Sequence, residues 1–186
     1  MSKISQNIFL IGPMGSGKTT IGKHLAKILL LDFYDCDQEL ERLTGASVSL
    51  IFDIEGETGF RLRESRLLNQ LVEKSGVLIS TGGGVILSDE NRRLLRSRGF
   101  VVYLKTSIEN QLRRLSQDKS RPLLQAEDRT QRLLDLARVR NPLYEDTADL
   151  VFSTSNSSVF ATAKALFSAI SEQVDPLKPE KPHADS

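Results

Sequence analysis

The stretch Ile8-Phe9-Leu10-Ile11-Gly12-Pro13-Met14-Gly15-Ser16-Gly17-Lys18-Thr19 decides the fold class. Its four leading apolar residues predict a buried strand that runs straight into the pattern G-x-x-x-x-G-K-[ST] at Gly12–Thr19. Beyond it, Ile21, Leu25, Ile28 and Leu29 recur at helical spacing, so a helix is expected from about Lys18 to Leu30. Average residue frequencies produce this pattern by chance in roughly one chain of this length per hundred. A strand before it and a helix after it make chance a poorer account still. The residue types have separate tasks. Glycines let successive backbone N–H groups turn inward around phosphate oxygens without Cβ clashes. The helix N-terminus adds free N–H groups and the positive end of its dipole. Gly15, Ser16, Gly17, Lys18, Thr19 and Thr20 are the candidate nucleotide contacts, with Lys18 neutralising β/γ charge and Thr19 as a ligand to Mg²⁺. A nucleoside triphosphate with Mg²⁺ is the ligand this loop predicts.

Outward from the loop, short apolar runs alternate with helix-like segments, the pattern of an α/β fold with a parallel sheet. Phe33-Tyr34 reads as a second strand ending at Asp35-Cys36-Asp37, followed by interrupted helix from Gln38 to Ser75 with Phe60, Leu67, Leu71 and Val72 inward. Val77–Ser80 is a strand running into Thr81-Gly82-Gly83-Gly84, and Ser88 is placed to cap a helix reaching about Ser97. Phe100–Leu104 is the next strand, and Thr106-x-x-Glu109 has the form of a capping box. Asp118–Asp128 reads as polar loop, Arg129–Arg140 as helix, Leu150-Val151-Phe152 as the last strand, and Val159, Ala163, Leu166 and Ile170 as the inner face of the last helix. From Val174 on, three of the six prolines fall in thirteen residues of almost no apolar content, so residues 174–186 are expected to be a disordered tail on a single domain of residues 1–173.

Composition narrows the function class. With 186 residues, one domain is expected, and 25 Lys+Arg against 24 Asp+Glu leave a net charge of +1. That balance argues against a nucleic-acid binder or a membrane-surface protein. No apolar run approaches the ~20 residues of a membrane helix, and the N-terminus does not read as a signal peptide. Cys36 is the single cysteine, so a reducing, cytoplasmic setting is the natural expectation. His24 and His183 have no ligand spacing between them.

Asp35 and Asp37 follow strand two, at the strand ends where open α/β sheets place ligands. One carboxylate there suits a metal-bound water and the other a substrate hydroxyl; a solvated turn or a helix cap is the plain alternative. No acid follows Val77–Ser80, which makes Asp35 the better candidate for the metal's surroundings. The run Gly82–Gly84 at a strand's carboxyl end suits close approach of a ligand to backbone. The arginines, Arg61, Arg113, Arg114, Arg121 and Arg140 among them, are by default surface residues. Cys36 reads as a small packed residue whose thiol is dulled by neighbouring negative charge. A GTPase-type switch would need a guanine-reading N/T-K-x-D, which is absent, and Asp53-Ile54-Glu55-Gly56 matches D-x-x-G without the preceding buried strand.

Taken in order, Gly12–Thr20, Asp35-x-Asp37, Gly59-Phe60-Arg61-x-x-Glu64, Thr81–Gly84, Arg121-Pro122-Leu123-Leu124 and Arg140-Asn141-Pro142-Leu143-Tyr144 closely resemble the shikimate kinase family, over about Asn7 to Ile170. The resemblance implies a three-layer P-loop kinase fold with a five-stranded parallel sheet flanked by helices. It also implies a substrate-binding section near residues 33–62 and a mobile lid near 112–125. The implied reaction moves the ATP γ-phosphoryl group to the 3-hydroxyl of shikimate, on the route to chorismate and the aromatic amino acids. In this reading Asp37 holds the shikimate hydroxyls and accepts the proton, and Arg61 and Arg140 grip the carboxylate. Backbone of Gly82, Gly83 and Gly84 meets the substrate, Asp35 orients water on Mg²⁺, and Arg121 reaches ATP from the lid. The family's habit implies a monomer. After the last strand the chain departs from the family, with Ser153-Thr154-Ser155-Asn156-Ser157-Ser158 where a longer polar or basic residue often stands near the adenine. The neighbouring alternatives are gluconate kinase, a nucleoside monophosphate kinase and a non-catalytic nucleotide-binding regulator.

Overall fold

The computed structural model describes residues 6–116, 128–154 and 157–174. Five strands, β1 (Ile8–Ile11), β2 (Asp32–Asp35), β3 (Val77–Ser80), β4 (Phe100–Lys105) and β5 (Leu150–Ser153), form one sheet in the order β2-β3-β1-β4-β5. Every pairing is parallel. Seven helices connect and cover them among the described residues: α1 (Lys18–Leu29), α2 (Cys36–Thr44), α3 (Val48–Val72), α4 (Asp89–Arg98), α5 (Ile108–Leu115), α6 (Arg129–Thr147) and α7 (Val159–Gln173). None is long and apolar enough to cross a membrane.

The central strand shows why its sequence is a continuous apolar run. All four residues of β1 are fully buried, because successive side chains point to opposite faces and both faces are covered. Ile8 and Leu10 pack with Leu25 of α1 and Leu166 and Ile170 of α7. Phe9 and Ile11 pack on the other face with Leu67, Leu68 and Leu71 of α3, Leu95 of α4 and Tyr144 of α6. These are the three expected layers. The chain turns to opposite sides of β1 to reach β3 and β4, and that reversal opens a crevice at the strands' carboxyl ends.

Three local expectations are corrected. The cap of α5 is Ser107, whose hydroxyl accepts from Asn110 N–H, not Thr106. The Lys105 carbonyl is still engaged by Thr154 of the sheet edge, so the chain leaves the sheet one residue later than the box requires. Helix α6 runs through Pro142 to Thr147 instead of ending at Arg140. Pro142 has no N–H for the Arg138 carbonyl, but both residues lie on the exposed side, where water can serve it. Beyond the proline, Tyr144 and Thr147 bury and carry the helix on. Val159 is exposed at the start of α7; Ala163, Leu166 and Ile170 are the buried face. The expected interruption after strand two lies partly inside α3, where Gly56 takes φ 69°, ψ −177°. That is a left-handed φ which glycine adopts at little cost. Asp53–Gly56 is thus the site of a helix break, and Arg63 spans it with a two-pronged bond to Glu55 at 2.6 and 2.7 Å. Residues 117–127, most of the expected lid with Arg121, and 175–186, nearly all of the expected tail, lie outside the described residues.

Candidate active site

The loop between β1 and α1 takes the conformation its glycines allow. Gly12, Gly15 and Gly17 have φ of 145°, 75° and 94°. A Cβ on Gly12 would stand 2.7 Å from the Leu104 carbonyl oxygen, so no larger residue fits between the loop and β4. Lys18 is buried and its ammonium donates to the carbonyls of Gly12 (2.8 Å) and Pro13 (2.9 Å), which folds it over the loop. The Ser16 hydroxyl is buried with no hydrogen-bond partner inside the same loop. An unserved buried hydroxyl among inward-turned glycines is what a phosphate oxygen would satisfy. From α5, Arg114 donates to the Gly15 carbonyl at 2.9 Å.

Asp35 is both helix cap and site residue. One carboxylate oxygen accepts the N–H groups of Asp37 (3.1 Å) and Gln38 (3.2 Å), capping α2. The other accepts the Thr19 hydroxyl at 2.6 Å. The cap and the metal-side role, rivals in the sequence, use different oxygens. Two hard oxygen donors beside a phosphate loop fit Mg²⁺, which usually takes one or two protein oxygens and completes its shell with phosphate and water.

Next to Thr19 and Asp35 opens a cavity of about 420 Å³. Asp37, Arg61, Arg140 and Gly82–Gly84 all line it, as do Phe52 and Phe60, whose rings lie 4.4 Å apart. The glycines of its lining lead directly into the 3-10 turn Val85–Leu87. Buried Asn91 holds that turn, donating to the Val85 carbonyl (3.1 Å) and to Ser65 of α3 (3.0 Å). The glycines are there for space. A Cβ on Gly82 would come 2.2 Å from Glu64 Oε1, and one on Gly84 2.2 Å from the Arg61 guanidinium.

Charge in the cavity is arranged around Arg61. Its guanidinium bonds Glu64 (2.7 Å) and Glu57 (3.2 Å) along α3. Glu64 is 2% exposed, and burial raises its carboxyl above the ordinary value, outweighing Arg61 and Arg140, which lower it. Its Oε1 is buried and unpartnered. Arg140, 6% exposed, reaches the cavity from α6, one turn before the fully buried Tyr144. Cys36 is buried at the base of α2; burial first, then Asp37 and Glu64, push its thiol up, so it is a packed residue as expected.

The structure therefore brings Thr19, Asp35, Asp37, Arg61, Gly82–Gly84 and Arg140 to one cavity, while Arg121 falls outside the described residues. Arg114 was a surface residue by default in the sequence. Its partner Gly15 is 99 positions away, and no local pattern connects the two. Glu64 stood in the sequence as a motif letter without a role.

Against known proteins, the model of the shikimate kinase family matches residues 14–174. The chain is 54% identical over 165 residues to the shikimate kinase of Alteromonas mediterranea, covering 89% of this chain and 96% of that protein. It is 52% identical over 174 residues to that of Histophilus somni, covering 93% and 97%. Among solved structures, the shikimate kinase of Acinetobacter baumannii in complex with shikimate superposes with a TM-score of 0.89 at 45% identity, over 91% of this chain and 95% of that one. A deoxyadenosine kinase from M. mycoides, at 15% identity and a TM-score of 0.57, shares the fold. With its family model spanning most of the sequence and relatives above half identity over nearly their full length, the chain belongs to the shikimate kinase family.

Proposed function

We propose that the protein transfers the γ-phosphoryl group of ATP to the 3-hydroxyl of shikimate, giving shikimate 3-phosphate and ADP. The observation that carries this reading is the shared cavity: the acceptor groups Asp37, Arg61, Gly82–Gly84 and Arg140 open onto the same space as Thr19 and Asp35 of the phosphate loop. Arginine's planar fork suits a carboxylate, and an aspartate suits a pair of hydroxyls. Family membership and the shikimate-bound relative support the choice of acceptor.

In this mechanism the loop N–H groups, Ser16 and Lys18 hold the β- and γ-phosphates, and Arg121 approaches ATP from the lid section. Arg61 and Arg140 grip the shikimate carboxylate, which aims the ring. Asp37 accepts from the reacting hydroxyl and takes its proton as the new O–P bond forms and the bond to the β-phosphate oxygen breaks. Phosphoryl transfer of this kind depends on positioning and charge neutralisation more than on covalent help from the protein. Thr19 and the water-orienting carboxylate of Asp35 would hold Mg²⁺, which when bound supplies charge neutralisation between the β- and γ-phosphates. Residues 33–62 serve as the substrate-binding section of one kinase domain. Each chain supplies a whole cavity, so a monomer suffices, acting in the cytoplasm where ATP is held.

The test is a coupled ADP-release assay with Mg²⁺-ATP and shikimate, gluconate or nucleoside monophosphates side by side. Turnover is expected with shikimate alone. Turnover with another acceptor and none with shikimate overturns the assignment.

A further inference from the structure

Tyr144 is fully buried in α6 and makes contacts that no catalytic role yet explains. Its hydroxyl donates a short hydrogen bond to the Gly83 carbonyl. Within the glycine turn, the Gly82 carbonyl accepts Val85 N–H (3.2 Å) and the Gly84 carbonyl accepts Leu87 N–H (3.0 Å). Gly83 is the member whose carbonyl the turn leaves over, and Tyr144 takes it. A trans peptide points its carbonyl and the following N–H in opposite directions. Anchoring the Gly83 oxygen in the core therefore turns the Gly84 N–H away from the core. The same hydroxyl stands against the guanidinium of Arg140, one helical turn earlier.

The ring itself cannot drift. It stacks on Tyr103 of β4, with centroids 4.9 Å apart and planes 23° apart, and the Tyr103 hydroxyl donates back to Asn141 of α6 (3.3 Å). Burial keeps both phenols protonated, Tyr103 pushed up to about 12, so both remain donors at any working pH.

We propose that Tyr144 is a positioning residue: one hydroxyl fixes the Gly83 peptide and meets Arg140, and so sets the spacing between the backbone donors of the glycine turn and the guanidinium that receives the acceptor's carboxylate. The proposal rests on the reaction assigned above. Removing the hydroxyl takes away the partner of the half-buried Gly83 carbonyl and lets two donor groups shift relative to each other. A shift in binding groups remote from the reacting hydroxyl appears chiefly in KM.

Tyr144→Phe keeps the ring, its volume and its stack. In the ADP-release assay, shikimate KM is expected to rise about tenfold, with kcat within about threefold and ATP KM within about twofold. Tyr103→Phe removes the other hydroxyl of the same stack, which bonds Asn141 and not the glycine turn, and should leave shikimate KM within about twofold. For shikimate methyl ester, which offers no carboxylate, wild type and Tyr144→Phe should differ less than about twofold. An unchanged shikimate KM in Tyr144→Phe overturns the proposal, as does an equal rise in both substrates' KM or an equal effect of Tyr103→Phe. Absence of shikimate turnover by the wild type sinks the assigned reaction instead, and the two failures are distinct. If Tyr144→Phe does not fold, the wild type labelled with 3-fluorotyrosine decides. Its three tyrosines give three fluorine resonances, two assigned through Tyr34→Phe and Tyr103→Phe. The third is expected to move on saturation with shikimate, and its failure to move overturns the proposal.

Discussion

In the phosphate loop, Gly12 through Thr19 supply backbone donors, an ammonium and two hydroxyls from eight consecutive residues. In the acceptor cavity beside it, the groups come from four places: Asp37 of α2, Arg61 and Glu64 of α3, the glycine turn after β3, and Arg140 of α6. The loop is shaped by its own dihedrals, chiefly the left-handed φ of Gly15 and Gly17. The cavity has its shape only because α3, α6 and the turn pack as they do. Damage to the loop should therefore act on the chemistry, and damage to the cavity on the acceptor.

The largest effect tests the loop side. Lys18→Ala removes the ammonium folded over the Gly12 and Pro13 carbonyls and should lower kcat by about 10²–10³-fold or more, as losses of charge-stabilising donors do. Shikimate affinity measured by calorimetry should stay within a few fold. Near-normal turnover at saturating substrates would remove the loop lysine from the mechanism and break the contrast.

On the cavity side the two arginines should part company. Both Arg61→Ala and Arg140→Ala should weaken shikimate binding about ten- to a hundred-fold and leave ATP within a few fold, the cost of one charge-assisted partner. Arg61→Ala also strips Glu64, at 2% exposure, of its bonded partner, and an unpaired buried charge destabilises. Its thermal midpoint should fall, and adding Glu64→Gln should restore much of it. Equal loss of ATP and shikimate binding would make these residues structural.

The sequence made the loop legible and the cavity only partly so, for the same reason. Gly12–Thr19 sits between a fully apolar strand and an amphipathic helix, and the glycine dihedrals and Lys18 hydrogen bonds that give it its shape are short in sequence. Asp35 was visible at a strand end, but its split duty required knowing that Thr19 comes within 2.6 Å. Arg114 looked like any surface helix arginine, because its contact with Gly15 exists only once α5 packs beside the loop. The end of α6 was misplaced because Asn141-Pro142 is a strong local stop, and the tertiary burial of Tyr144 and Thr147 overrides it. The cap at Ser107 was missed by one residue because two adjacent hydroxyls compete and the sheet edge decides between them.

A smaller effect separates residues within the glycine turn. Gly84 has φ −98°, ψ 0°, which alanine adopts, so the obstacle nearest a Cβ there is the Arg61 guanidinium, at 2.2–2.4 Å. Gly84→Ala should fold normally and raise shikimate KM about tenfold by displacing that guanidinium. At Gly83 the nearest atoms lie 3.5–3.6 Å from the added Cβ, so Gly83→Ala should stay within about twofold. Equal effects would mean that the turn, not the arginine, is what the methyl group disturbs.

The smallest expected signal is a proton. Burial holds the Glu64 carboxyl above its ordinary value of 4.5, with Asp37 pushing the same way and Arg61 and Arg140 opposing. Because the folded value is raised, the stability linked to Glu64 is fully present below the unfolded value and is lost as pH rises through the folded one. Wild type should therefore lose stability relative to Glu64→Gln as pH climbs above about 4.5. Shikimate sharpens the effect: its carboxylate would lie against the two arginines, draw on the positive field that favours ionised Glu64 and add a negative charge of its own. Glu64 is then held still higher in the complex than in the free protein. Between those two values, binding takes up a fraction of a proton and affinity falls with rising pH; outside them, the linkage vanishes. Calorimetry in two buffers of different ionisation enthalpy measures that fraction directly. Glu64→Gln should abolish it, whereas Lys18→Ala, on the other side of the comparison, should leave it unchanged. Equal uptake by wild type and Glu64→Gln would move the proton to another carboxylate of the cavity and show that Glu64 keeps one protonation state throughout binding.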